Sequence, residues 1–164
     1  MQRKKEIKLK HGDIILIKGR WWNPLSKLIE LLTFGPYSHS AVYLARGKII
    51  EASWTGVIIS SINRYKNRYD VFRLKDEYLT IESMMWFIAN KIGAKYDYLG
   101  LIGILLSIIG KRKHNDYDDK NRYWCSELIA DGLLFAEYDV NFDKDTCRVS
   151  PNDLFRLFKK LRKF

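Results

Sequence analysis

A cysteine, a histidine and a glutamate have the chemistry of a hydrolytic centre. Cys125 lies where a helix is predicted to begin, and free backbone amides and the helix dipole stabilise a thiolate there. A thiolate nucleophile needs an imidazole that holds it and protonates the leaving group, and a carboxylate or amide must orient that imidazole. His39 and Glu51 are the candidates for these roles. Taken singly, each residue is more typical of a structural position, so the three together carry the hypothesis.

The other cysteine and histidines do not extend this cluster. Cys147 lies in a polar stretch without a motif, and His11 and His114 have no ligand spacing with the cysteines, which argues against a zinc site. The aspartates of residues 116–119 do not fit a calcium loop. The sequence therefore predicts a site without a metal or a cofactor.

Residues 38–53 carry His39 and Glu51 and read as a β-hairpin. Ala45–Gly47 is predicted to form a three-residue turn in which Gly47 takes the left-handed position. In the register that follows, Leu44 faces Lys48.

This register predicts that His39 and Glu51 share one face of the sheet as diagonal neighbours, roughly 7 to 8 Å apart and within reach of long side chains. A turn one residue longer or shorter would put them on opposite faces. The other face is predicted to be apolar and carries Val42, Leu44, Ile50 and Ala52.

The remaining elements follow from turn residues, caps and hydrophobic spacing. Strands are predicted at residues 13–18, 56–62 and 69–74, and helices at residues 24–34, 80–91, 98–109, 123–138 and from Ser150 onward. Strands followed by helices, with short connections between the strands, indicate an α+β fold with an antiparallel sheet packed against helices. The polar segment 110–121 is the best candidate for a lid.

The first predicted helix has clear ends and an apolar stripe. Asn23 can cap it, Pro24 suits its first turn, and Gly35 ends it. Such a stripe is usually core, although the wall of a binding cleft is the alternative. The stripe consists of Leu25, Leu28, Ile29 and Leu32.

Length and composition indicate one folded domain over residues 1–164. The chain is 47% hydrophobic and 29% charged, with 3 Pro and 10 Gly, which excludes disordered and collagen-like classes. Its net charge of +10 favours an anionic partner: nucleic acid, an acidic membrane face or an anionic substrate. No secretory signal is apparent, and the apolar stretch 99–109 is too short to cross a membrane. The sequence predicts a cytoplasmic, soluble protein that touches a membrane surface at most peripherally.

Several segments, distributed over nearly the whole chain, resemble one known group. They are HGDIILIKG, SHSAVYL, KIIEAS, GAKYDYLGL, YWCSELI and SPNDL, at residues 11–19, 38–44, 48–53, 93–101, 123–129 and 150–154. In this order they resemble the circularly permuted, papain-like branch of the NlpC superfamily, the YiiX/YaeF group of cysteine amidases or peptidases. The histidine and glutamate precede the cysteine here, which is the permuted order.

The resemblance implies a permuted papain-like fold and a hydrolase acting on amide or ester carbonyls. It implies Cys125 as nucleophile, His39 as base and acid, and Glu51 as the orienting residue. Ser38, Tyr96 and Trp124 lie beside these motifs and are candidate substrate-binding residues, although aromatic residues more often simply pack.

Three functions remain open at this point. The first is a cysteine hydrolase that cleaves a peptide or amide bond through a thioester. The second is a lipid-directed acyl hydrolase or acyltransferase with the same triad, acting at an anionic membrane surface. The third is a non-enzymatic basic binding module. Only the net charge favours nucleic acid as its partner, because the sequence contains no recognised nucleic-acid-binding motif. Substrate identity and oligomeric state are not predicted.

Overall fold

The chain folds around a five-stranded antiparallel sheet. The computed structural model describes residues 8–66, 68–75, 78–98 and 122–161. The strands are β1 (Ile14–Lys18), β2 (Tyr37–Ala45), β3 (Lys48–Ser53), β4 (Gly56–Ser61) and β5 (Tyr69–Phe72), in the spatial order β4-β3-β2-β1-β5. Every neighbouring pair is antiparallel. This architecture confirms the predicted α+β class.

The described residues also include four α-helices and a small second sheet. The helices are α1 (Pro24–Leu32), α2 (Tyr78–Asn90), α3 (Cys125–Phe135) and α4 (Pro151–Leu161), with 3₁₀ turns at Ile62–Tyr65 and Thr146–Arg148. The second sheet pairs β6 (Lys95–Tyr96) in parallel with β7 (Arg122–Tyr123). It brings residue 96 next to the segment that leads into α3.

Strand β1 lies between β2 and β5, and an apolar core covers each of its two faces. Ile14 and Leu16 join the main core, whereas Ile15 and Ile17 join a smaller core on the opposite face. A continuous apolar run is what a strand covered on both sides requires. Helices α2, α3 and α4 cover the main face, to which they contribute Met84, Ile88, Leu128, Leu133, Leu154 and Phe158.

The hairpin of β2 and β3 has the predicted faces but a different turn. Val42 pairs with Ile50 and Tyr43 with Ile49, as the predicted register requires. At the turn, however, Ala45 and not Leu44 pairs with Lys48, so the predicted Leu44–Lys48 pair is wrong.

The turn itself contains two residues instead of the predicted three. Arg46 and Gly47 both have positive φ, +49° and +73°, which suits a tight two-residue turn. An irregularity between Tyr43 and Ala45 absorbs the extra residue, so the strands keep their register beyond it.

Helix α1 begins at Pro24 as predicted but ends at Leu32, two residues before the predicted end, and it is not a core helix. The Asn23 side chain accepts a hydrogen bond from the Ser26 backbone N–H and Pro24 opens the helix. Of the four residues in the predicted stripe, Ile29 is buried, while Leu25 and Leu28 are exposed. The stripe is therefore only partly covered, which agrees with the alternative of a cleft wall.

Two predicted elements lie largely outside the described residues. The apolar helix 98–109 is described only at Tyr98, and the polar segment 110–121 is not described at all. Within the described ranges, no helix has the length and apolar character needed to cross a membrane.

Candidate functional site

The structure brings His39 and Glu51 into direct contact. His39 lies on β2 and Glu51 on β3, and the imidazole Nε2 lies 2.6 Å from the carboxylate Oε2. An ionised carboxylate only accepts hydrogen bonds, so Nε2 carries the proton and donates it. The ring is thereby held in one orientation, with Nδ1 left for another partner.

A β-bulge lies beside His39. Strand β1 pairs regularly with β2 up to Ile17, which faces His39, but the next residue, Lys18, faces Tyr37. Ser38 is therefore the extra residue. Bulges of this kind redirect neighbouring side chains, and here the bulge lies one residue from the imidazole.

Glu51 accepts hydrogen bonds from four side chains. Besides the bond from His39, Oε2 accepts one from the Tyr65 hydroxyl, while Oε1 accepts bonds from Ser60 Oγ at 2.5 Å and from Arg64 Nη1 at 2.9 Å. The side chain is fully buried. A buried carboxylate with this many donors is held in place as an anion.

These contacts keep Glu51 ionised. Burial alone would raise its pKa, but the hydrogen bonds and charge of His39, with the hydroxyls of Ser60 and Tyr65, lower the pKa of Glu51 to about 2. For Tyr65, burial and the adjacent Glu51 carboxylate raise the pKa well above its usual value. Tyr65 therefore remains a neutral donor.

Cys125 is the first residue of α3, which places its sulfur at the amino end of the helix. The first hydrogen bond of the helix runs from the Leu128 N–H to the Trp124 carbonyl, so the N–H groups before it are not used within the helix. Positive helix-end potential and free N–H groups are what a thiolate, and later an oxyanion, require.

The charges of the Cys125 thiol and the His39 imidazole interact across the site. Although burial opposes a charged imidazole, the charge of Cys125, followed by the hydrogen bond and charge of Glu51, raises the pKa of His39. For Cys125, burial opposes ionisation, but the positive charge of His39 lowers the thiol pKa. The raised pKa of His39 and the lowered pKa of Cys125 both favour a thiolate–imidazolium pair.

The sulfur of Cys125 lies behind the wall of a cavity. Cys125 is only 3% exposed and packs with Ile29, Trp124 and Tyr96. Of its neighbours, His39, Ile29 and Tyr96 line a cavity of about 430 Å³. A volume of this size suits a small substrate or one end of a larger one.

Two of the three predicted substrate-binding residues line this cavity. Ser38 and Tyr96 are part of its wall. Trp124 is not: it is 1% exposed and packs beneath the site against Ile29 and Cys125. Its position directly before the helix makes it part of the core that supports the sulfur, so the structure does not place it in contact with the cavity.

The sequence analysis missed three partners of Glu51. Ser60 pairs with Ile49 across the β3–β4 ladder and so lies on the same face as Glu51, which an extension of the hairpin register could have found. Arg64 and Tyr65 belong to the 3₁₀ turn after β4. No periodic pattern marks that turn in the sequence.

The other candidate residues lie elsewhere. Cys147 is buried in the 3₁₀ turn at residues 146–148, and His11 contacts the Leu44 carbonyl and Glu82. His114 is outside the described residues. In the part of the chain that the structure describes, no group of three or more His, Cys, Asp or Glu side chains could hold a metal ion.

The fold is similar to that of a solved structure. Comparisons with protein-family models and with the sequences of curated proteins find no match. The crystal structure of the metalloprotein YiiX from Escherichia coli O157:H7, described as DUF1105, is similar with a TM-score of 0.59 and 20% sequence identity. The match covers 77% of this chain and 66% of YiiX, so the chain spans less than two thirds of that protein. At this identity the likeness shows a YiiX-like fold.

YiiX is described as a metalloprotein, but the described residues around Glu51 offer no free ligand set for a metal ion. Both oxygens of Glu51 are occupied by side-chain donors, and His39 Nε2 is bound to Glu51. A metal ion would have to displace these hydrogen bonds and compete with the charge of Arg64. The described residues therefore do not fit a metal at this position.

Proposed function

We propose that this protein is a cysteine hydrolase that cleaves an amide or peptide bond through Cys125, His39 and Glu51. The observation that carries the proposal is the His39 imidazole bonded to a buried carboxylate, with Cys125 at the start of a helix and its charge coupled to that imidazole. This order of groups activates a thiol and stores the proton that the leaving group needs. The YiiX-like fold supports the same class of function.

The reaction proceeds through a thioester. The Cys125 thiolate attacks the carbonyl carbon, and the backbone N–H of Cys125 stabilises the oxyanion. The His39 imidazolium then donates its proton to the leaving amine as the carbon–nitrogen bond breaks. Neutral His39 next takes a proton from water, the resulting hydroxide attacks the thioester, and the thiolate leaves. Glu51 holds the imidazole in place and balances its positive charge throughout.

Alkylation of the two cysteines tests this proposal. A thiol with the ordinary pKa of about 8.5 is only a few per cent thiolate at pH 7, so we expect iodoacetamide to modify Cys125 roughly 30-fold faster than Cys147, which is buried to a similar degree. His39→Ala should remove most of that advantage at pH 7, because the thiol loses its positive partner. Peptide mapping by mass spectrometry measures both cysteines in one sample.

Hydrolysis of a panel of aryl amides tests the same proposal through turnover. Cys125→Ala and Cys125→Ser should abolish turnover, whereas Cys147→Ala should leave it unchanged. Equal alkylation rates for Cys125 and Cys147, or turnover that survives Cys125→Ala, would contradict the proposal.

A second candidate, a lipid-directed acyl hydrolase or acyltransferase, is favoured by an exposed apolar surface next to the cavity. This α1 surface consists of Trp21, Trp22, Leu25, Leu28, Leu31 and Phe34. Leu25 also lines the cavity, so the surface continues into the site. The same triad would then attack an acyl ester. Turnover of short-chain esters presented in vesicles, with none on amides, would favour this candidate over the first.

A further inference from the structure

The wall of the cavity is strongly basic. Lys18, Arg20, Arg64 and Arg68 all line it, and the part of the wall that the structure describes contains no aspartate or glutamate. A concave site with charges of one sign attracts the opposite charge more strongly than an open surface does. The charge of the wall therefore bears on which substrates enter.

Two of these four cations already have carboxylate partners behind the wall. Lys18 Nζ lies 2.8 Å from Asp70 Oδ2, and Arg64 Nη1 lies 2.9 Å from Glu51 Oε1. Both side chains are held by these pairs, and their charges are partly offset by them. The net charge of the wall thus depends mainly on Arg20 and Arg68.

Arg68 is held rigidly beside the site. Its Nη1 donates a hydrogen bond to the Lys18 carbonyl at 3.0 Å, and the Lys18 N–H donates to the Arg68 carbonyl at 2.9 Å. These bonds tie the residue to the end of β1, next to the bulge beside His39. A guanidinium that is already oriented loses little entropy when it binds an anion.

Arg20 lies two residues beyond Lys18. Its guanidinium carbon is 5.5 Å from the centre of the Trp22 ring, a cation–π contact that positions the group without cancelling its charge. Within the described residues, neither Arg20 nor Arg68 has a carboxylate partner. Two guanidinium groups therefore remain to bind an anion in a cavity that His39 also lines.

We propose that this cavity selects acyl substrates that carry a carboxylate or phosphate group near the scissile carbonyl, and that Arg68 and Arg20 bind this group. Guanidinium binds both anions through paired hydrogen bonds, and both occur on small substrates and on larger amphiphiles. The substrate assignment rests on the proposed hydrolase function, whereas anion binding by the two arginines does not require turnover.

Two alkylating reagents that differ in charge provide the first test. Iodoacetate and iodoacetamide are close in size, and with each the thiolate displaces iodide as the carbon–sulfur bond forms. We expect the ratio of their rates at Cys125, iodoacetate over iodoacetamide, to fall roughly 3- to 10-fold in Arg68→Gln and further in Arg20→Gln/Arg68→Gln, because each substitution removes a charge that attracts the anionic reagent. His39 contributes equally in all variants and cancels in the comparison.

Arg46→Gln is the matched control. Arg46 is an exposed arginine in the β2–β3 turn and does not line the cavity. Its substitution makes the same change in net charge and should leave the ratio unchanged. Arg68→Lys should retain part of the preference, because it keeps the charge and loses the paired hydrogen bonds. A ratio that is the same in the wild type and in the double variant would overturn the proposal.

Protection experiments distinguish the two anions. Acetate and inorganic phosphate are added separately, and the slowing of iodoacetamide alkylation at Cys125 is measured. Stronger protection by acetate identifies a carboxylate site, and stronger protection by phosphate identifies a phosphate site. In either case protection should disappear in the double variant. Absence of protection by both anions would contradict the proposal.

The same anions can be tested without any thiol reactivity. Phosphate or acetate should raise the melting temperature of the wild type more than that of the double variant, because only the wild type binds them in the folded state. If the anions raise the melting temperature of the wild type more than that of the double variant, but Cys125 is unreactive, the anion site stands and the hydrolase proposal fails. If the two melting temperatures rise equally, but the protein hydrolyses amides, the hydrolase proposal stands and the anion site fails.

Discussion

Glu51 has donors on both carboxylate oxygens, and this makes it a positioning residue for His39. The carboxylate is buried, bonded to the imidazole and fixed by Ser60, Arg64 and Tyr65. A residue held by so many contacts cannot follow the imidazole if it moves. The orientation of His39 is therefore determined by the sheet and not by solvent.

Glu51→Gln should change the titration of His39. The pKa of His39 is raised in the fold, so the imidazolium is present below that pKa and lost above it. Without the negative charge of Glu51, this pKa falls and the thiolate–imidazolium pair is lost at lower pH. We also expect the free energy of unfolding to fall by roughly 2–4 kcal/mol, because an amide oxygen cannot accept all four hydrogen bonds. NMR titration of His39 and urea unfolding measure the two effects.

Ser60→Ala is the control for this experiment. It removes one of the four donors and no charge, so it should shift the titration of His39 much less. An unchanged His39 titration in Glu51→Gln would show that the carboxylate does not support the imidazolium.

At this scale, part of the site was predictable. The alternation of side chains along β2 and β3 predicted that His39 and Glu51 share a face, and the apolar spacing of residues 123–138 predicted a helix that begins near Cys125. The distance from α3 to the hairpin was not predictable, because it depends on long-range packing of the helix against the sheet. The three further donors to Glu51 depend on β4 and on the 3₁₀ turn after it.

Among the elements, β2 is held in place by a side chain from α4. Asn152 is fully buried; its Oδ1 accepts a hydrogen bond from the Tyr37 N–H at 3.1 Å, and its Nδ2 donates to the Tyr37 carbonyl at 2.8 Å. Nδ2 also donates to Thr33 Oγ1 at 2.6 Å. One amide thus joins the end of α1 to the start of the strand that carries His39.

Asn152→Ala should therefore destabilise the fold and disturb the site. It removes three hydrogen bonds to the buried Tyr37 backbone and the Thr33 hydroxyl, so we expect the free energy of unfolding to fall by roughly 2–4 kcal/mol. The alkylation rate of Cys125 should fall as well, because β2 loses its anchor beside His39. Asn90→Ala is the control: Asn90 makes an exposed hydrogen bond to the Trp86 carbonyl, and its loss should cost less than about 1 kcal/mol. Equal losses in both variants would contradict the anchoring role.

The elements themselves were largely predictable, whereas their local irregularities were not. Helix α1 follows from its cap and proline, and the apolar run of β1 predicted a buried strand. The bulge beside Lys18 and the two-residue turn at Arg46 depend on how neighbouring strands twist and pair, which a single strand's sequence does not encode. The exposure of the apolar stripe of α1 was not predictable either, because the spacing of apolar residues does not indicate which other elements cover them.

On the scale of the whole molecule, a net charge of +10 accompanies the α1 surface described above. Trp21 is 79% exposed and Leu31 is 70% exposed, next to a basic cavity. Apolar and aromatic side chains beside basic ones are typical of surfaces that bind anionic lipid bilayers.

If the lipid-directed candidate is correct, the protein should bind anionic vesicles through α1. Leu31→Glu should weaken binding to vesicles that contain phosphatidylserine by roughly tenfold, because it replaces an apolar contact between Leu31 and the bilayer with a charge. Leu79→Glu is the matched control, since Leu79 is 72% exposed on α2. Binding should also weaken with salt. Co-sedimentation measures both variants, and equal weakening by the two, or no vesicle binding by the wild type, would exclude this surface as the membrane contact.

The order of the site residues along the chain has a consequence for synthesis. The ribbon with His39 and Glu51 leaves the ribosome roughly seventy residues ahead of Cys125, because chains emerge amino end first. When the sulfur emerges, its helix must still dock onto the completed sheet. If the proposed triad is correct, the thiol has ordinary acidity until then, and nascent and misfolded chains carry no activated nucleophile. Reactivity of Cys125 at neutral pH therefore reports that maturation is complete.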